Sequence, residues 1–81
     1  MEPHWNDVAE EQLRAMGIAK EQVVPLFQKN LSEGLSAIRQ KARGRKETWC
    51  VVQGKGRLGV TFVEVDGRAW IQSLTLEHED I

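Results

Sequence analysis

The sequence predicts an α+β domain, two N-terminal helices packed on a three-stranded antiparallel β-meander. Three observations predict it. Apolar residues recur at three- and four-residue steps through the first half of the chain, and from about residue 48 the pattern changes to short runs rich in β-branched and aromatic residues. Those runs are separated by short glycine-bearing segments, "GKGR" and "DG". The first helix is predicted over about residues 3–16, because Trp5, Val8, Ala9, Leu13 and Met16 form one stripe with Glu10, Glu11 and Arg14 opposite. Pro3 suits its first turn, and Gly17 suits the left-handed position that ends it.

A second helix is predicted over about residues 20–42, from Val23, Val24, Phe27, Leu31, Leu35 and Ile38, ending at Gly44. Pro25 and Gly34 weaken its interior, so it is expected to bend near Pro25, the alternative being a break near Leu31 with Ser32 capping a second piece. Strands follow over about residues 48–53, 58–65 and 68–76. Asp66-Gly67 is a type I′ turn signal and sets the register: Val65 opposite Arg68, Val63 opposite Trp70, Phe62 opposite Ile71, and Val60 opposite Ser73. One face then carries Leu58, Val60, Phe62, Ala69 and Ile71; the other carries Val63, Val65, Trp70, Leu74 and Leu76. Two helices cover one face of such a sheet. An exposed apolar patch at Val63, Trp70 and Leu74 is therefore expected, suited to a protein partner or a homodimer.

Length and composition bound the function. A chain of 81 residues forms one domain, 1–81, and at 41% hydrophobic and 28% charged it has the makeup of a folded one. Cys50 is alone, so neither an intrachain disulfide nor a cysteine-rich zinc site is expected, and the reading is cytoplasmic. No apolar run approaches the ~18–20 residues of a membrane span, and the acidic start "MEPHWNDVAEE" is unlike a signal peptide. The net charge of −1 hides a segregation: from Arg39 to Arg57 seven cations stand against Glu47 alone. A basic middle between acidic ends either attracts an anionic partner or complements its own ends.

Gly54, Gly56 and Gly59 have the spacing G-x-G-x-x-G, which cradles a dinucleotide when a strand precedes it and a helix follows. Here a strand follows, so the glycines read as hairpin chemistry and no cofactor is expected. The cations Arg43, Arg45, Lys46, Lys55 and Arg57, with Trp49 as a stacking surface, form a candidate stripe for RNA or DNA phosphates. His78 is the one candidate general base, set in the acidic tail "LEHEDI". Glu77, His78 and Glu79 offer no fixed metal geometry, and no metal is expected.

The order of two helices and a meander, with "LRAMGIAKEQVVPLF" and then "ETWCVVQGKGRLGVTFVEVDGRAWIQSLTL", resembles the RelE/ParE-type toxin superfamily, in particular its BrnT-like members. The resemblance implies a toxin directed at RNA, the ribosome or gyrase and paired with an antitoxin. Those relatives carry a histidine and arginines on the first helix where this chain has Val8, Gln12 and Met16, so no catalytic residue is carried over. Two functions are thus expected: a small toxin-like protein binding RNA or another macromolecule through the basic surface, or a non-enzymatic inhibitor or immunity protein from a mobile element acting through the apolar face.

Overall fold

The computed structural model describes residues 2–78, with the backbone alone of Lys41. The elements are β1 (His4–Trp5), α1 (Asp7–Met16), α2 (Lys20–Ser32), β2 (Ala37–Gln40), a 3₁₀ turn (Lys41–Arg43), β3 (Arg45–Val52), β4 (Gly56–Val65) and β5 (Arg68–Glu77). They form a five-stranded mixed sheet in the order β1-β5-β4-β3-β2, β1 parallel to β5 and the other pairs antiparallel. This corrects the three-stranded meander: the three expected strands are its centre, and each edge carries one more. Among the described residues no helix is long and apolar enough to cross a membrane.

Both corrections have local causes. Residues 4 and 5 extend alongside Trp70 and Ile71 rather than joining the first helix, and the Asn6 N–H continues the pairing to the Ile71 carbonyl at 3.1 Å. Asn6 then caps α1, its side chain accepting from the Ala9 N–H at 2.8 Å. At the other end Gly17, at φ 67°, closes α1 as expected, with its N–H bonded to the Arg14 carbonyl. Helix α2 stops at Ser32 instead of running to 42. The apolar spacing through Leu35 and Ile38 is not a buried stripe, since those side chains are 55% and 64% exposed, and residues 37–40 pair with β3.

Both helices lie on one face, α1 over β5 and α2 over β3. Between them and the sheet sit Ala9, Leu13, Val23 and Phe27 against Cys50, Val52, Leu58, Val60, Phe62, Ile71 and Leu74, with Phe27 edge-on to Phe62 at a centroid distance of 5.0 Å. The edge strands are short, and helix side chains serve backbone groups beyond them. β1 pairs with β5 only at Trp70 and Ile71; further along, the Leu74 N–H donates to Gln12 Oε1 of α1 at 2.7 Å. β2 pairs with β3 only as far as Glu47; beyond it Asn30 Nδ2 of α2 donates to the Trp49 carbonyl at 2.8 Å and to Thr48 Oγ1 at 3.0 Å. Buried Thr48 in turn donates to the Leu35 carbonyl at 2.6 Å, fastening the chain that leaves α2.

The Asp66-Gly67 turn has positive φ at both residues, 52° and 77°, and sets Val65 opposite Arg68 as expected. The register then departs from the expected one. Phe62 faces Ile71, but Thr61 faces Ser73 and Val60 faces Leu74, which leaves Gln72 as an extra residue in a β-bulge. One added residue reverses which side chains face the helices. Leu74 is consequently in the core at 4% exposure and Leu76 packs against it, while Ser73 and Thr75 turn to the opposite face. The predicted continuity of Trp70 with Leu74 and Leu76 is lost for this reason.

Candidate functional site

With both helices on one side, the other face of the sheet is bare of any covering element among the described residues. Alternation along each strand decides which side chains stand on it. From β3 come Arg45, Glu47, Trp49 and Val51; from β4 Arg57, Gly59, Thr61, Val63 and Val65; from β5 Trp70, Ser73, Thr75 and Glu77. His4 joins from β1, its ring 4.1 Å from that of Trp70 by centroids and inclined at 45°.

Trp49 is the best-fixed group of this face. It stands opposite Gly59, where a Cβ would come within 2.8 Å of the indole ring, so the absence of a side chain is what lets the ring lie down on β4. Arg57 stacks over that ring, 4.8 Å from guanidinium carbon to centroid. The indole N–H donates to Glu47 Oε1 at 2.9 Å, the other Glu47 oxygen takes Arg39, and Arg57 reaches Glu77 at 3.4 Å. Cations, carboxylates and an indole thus run in one connected row across the sheet. Such exposed pairs add little stability, but they hold two guanidinium planes in place.

Beside this row lies a polar concavity of about 320 Å³ lined by Arg39, Gln40, Arg45, Thr61, Ser73 and Thr75. A second bulge contributes to it: β2 slips register between Ile38 and Gln40, so that Gln40 opposes Arg45. Among the described residues Arg45 has no ion-pair partner, unlike Arg39.

The expected basic stripe is divided by the fold. Arg45 and Arg57 lie on the bare face. Lys46 has the opposite phase and pairs with Glu64 at 3.0 Å. Lys55, in the β3–β4 turn, directs Nζ to Gly17 at the C-terminus of α1, where a helix's partial negative charge favours a cation. Arg43 is exposed in the 3₁₀ turn. Of the expected apolar trio, Val63 and Trp70 stand opposite each other on the bare face, and Leu74 is on the helix side. His78 is exposed just past β5, its Cα against Gly56. Glu79 lies outside the described residues, and among the described ones no cluster of three His, Cys, Asp or Glu is placed to hold a metal. Burial pushes the Cys50 thiol up to about 11, which keeps it protonated and unreactive at neutral pH.

The polar lining supplied by Gln40, Ser73 and Thr75 does not follow from the expected register, which puts Leu74 and Leu76 on this face. A signal for it exists. Apolar residues at 69 and 71 and again at 74 and 76 keep one phase only if a residue is added between them. No protein-family model, curated protein or solved structure matches the chain.

Proposed function

We propose that the chain binds single-stranded RNA on the bare face of its sheet. The observation that carries this reading is Trp49 held against Gly59 with Arg57 stacked on it, a fixed aromatic and guanidinium platform beside Arg45, which has no ion-pair partner among the described residues. With one indole face on Gly59 and Arg57 over the other, a base of a single strand would stack on the outer plane of the Arg57 guanidinium that Trp49 holds, and nearby guanidinium groups would take the phosphates. Net charge near zero fits a short footprint rather than a long electrostatic track.

The test is fluorescence titration with oligouridylate at rising salt. Two phosphate contacts give a log–log slope of about −1.4, or roughly a 25-fold weakening for a tenfold rise in salt. Trp49→Ala is expected to weaken binding by roughly 5- to 160-fold, from a loss of about 1–3 kcal/mol of stacking. Unchanged affinity in Trp49→Ala, with intact folding, refutes the reading. An RNA-directed toxin held by an antitoxin, as the RelE/ParE resemblance implies, is the fuller form of this reading. Growth arrest on expression that Trp49→Ala with Arg45→Gln abolishes is the outcome that supports it.

A second reading, a non-enzymatic protein-binding inhibitor or immunity protein, is favoured by Val63, Val65 and Trp70 on the same face, with Val65 and Trp70 46% and 37% exposed. Binding of this kind would be insensitive to salt and lost in Trp70→Ala while Arg45→Gln leaves it intact.

A further inference from the structure

The concavity beside the tryptophan is built by two separate irregularities of the sheet. The bulge at Gln72 turns Ser73 and Thr75 outward from β5, and the bulge in β2 brings Gln40 opposite Arg45 while Arg39 reaches Glu47 on the same face. Regular strands would leave neither set there: without the first bulge, Leu74 and Leu76 would take the outward positions. The lining that results has two guanidinium groups, one amide and three hydroxyls. Among the described residues it contains no apolar side chain and no carboxylate. Glu47 stands next to it but is already engaged by Arg39 and by the Trp49 indole N–H, so among the described residues Arg45 has no carboxylate to pair with.

Such a donor set complements a tetrahedral oxyanion: a guanidinium supplies paired N–H donors to two oxygens, and hydroxyls rotate to donate to the remaining ones. A concavity of about 320 Å³ has room for a phosphate with its attached sugar. We propose that it seats a phosphate group of a nucleic-acid strand, Arg45 being the charged partner and Thr61 and Ser73 the hydroxyl donors. This rests on the RNA-binding reading for the source of the phosphate, but the site's chemistry can be probed without RNA. Its place on the same face as Trp49 would let one strand use both, so the cleft would fix where a strand starts or passes on the sheet.

The experiment is titration of ¹⁵N-labelled protein with inorganic phosphate, followed by binding of hexauridylate ending in 5′-hydroxyl, 5′-phosphate or 3′-phosphate. Phosphate is expected to shift the amide signals of Thr61 and Ser73 and the Arg45 Nε–H signal, and Arg45→Gln is expected to abolish those shifts. Preference for a phosphorylated end by about tenfold, lost in Arg45→Gln, identifies a terminal monoester as the occupant. Equal binding of all three strands, weakened equally by Arg45→Gln, identifies an internal diester; both results support the site. Thr61→Val with Ser73→Ala tests the hydroxyls separately, with unchanged unfolding midpoints as the check on folding. The proposal is overturned if phosphate leaves these signals unmoved and Arg45→Gln binds every strand as the parent does, even where Trp49 quenching shows that RNA still binds. Shifts with phosphate but no binding of any hexauridylate would uphold the cleft and overturn the RNA reading instead.

Discussion

Deleting Gln72 tests what the bulge does for this fold. Without the extra residue Ser73 follows Ile71 directly and still pairs with Thr61, so β5 runs in uninterrupted register with β4 from the Asp66-Gly67 turn onward and no side chain changes face. Leu74, now 4% exposed, stays in the core, half-buried Leu76 stays beside it, and Ser73 and Thr75 stay on the opposite face. The Leu74 N–H keeps its alignment with Gln12. What is lost is the local bend of the bulged strand, so the deletion is expected to shift stability by no more than about 1–2 kcal/mol, against roughly 4–12 kcal/mol for a domain this size. Leu74→Ala removes core volume without touching the register and is expected to cost about 2–5 kcal/mol. Both are read from urea titrations followed by tryptophan fluorescence. A deletion variant that is largely unfolded, or more damaged than Leu74→Ala, would show that the bulge does more than bring Leu74 and Leu76 into phase with Ala69 and Ile71.

Gly56 has φ 122°, and a Cβ there would overlap the Glu77 carbonyl oxygen and lie 3.1 Å from the His78 Cα; Gly56→Ala is expected to destabilise by about 2–5 kcal/mol in the same assay. Gln12→Leu leaves the Leu74 N–H without its acceptor and should cost about 1–3 kcal/mol and speed hydrogen exchange at that amide, with Gln12→Glu restoring protection. The Cys50 thiol is raised by burial from 9.0 to about 11, so its contribution to stability is complete below pH 9 and is lost as pH rises through 11. Stability is expected to fall by about 2–3 kcal/mol across that window, and the fall should be absent in Cys50→Ala. A native protein that reacts with a thiol reagent at pH 7 as fast as the unfolded chain does would contradict it.

The parts of the fold legible from sequence are those encoded by neighbours in the chain. Asp66-Gly67 specifies its turn through two backbone conformations, and Gly17 ends α1 by the same kind of local preference. The three central strands were readable because β-branched residues alternate along them. The edges were not. Two residues, His4 and Trp5, are too few to show a period, and Trp5 fits the α1 stripe as well as it fits β1 because it is buried either way. Leu31, Leu35 and Ile38 mimic a helical stripe, yet Gly34 at φ 71° ends the helix between them and β3 supplies the backbone partners that decide the outcome. At the candidate site, composition identified Trp49, Arg45 and Arg57, but which cations share a face depends on strand phase. Lys46, next to Arg45 in sequence, lies elsewhere for that reason, and Lys55 lies in the turn between β3 and β4 rather than on a strand.

The parallel pairing of β1 with β5 also orders events in time. The hairpins of β3, β4 and β5 close through short turns and can form early, whereas His4 and Trp5 must find partners at Trp70 and Ile71 across most of the sequence. Until residues 68–77 have been synthesised, the apolar stripe of α1 has no strand to lie on, and Gln12 has no Leu74 amide to meet. A growing chain therefore leaves Ala9 and Leu13 without their partner strand until residues 68–77 are available to cover them.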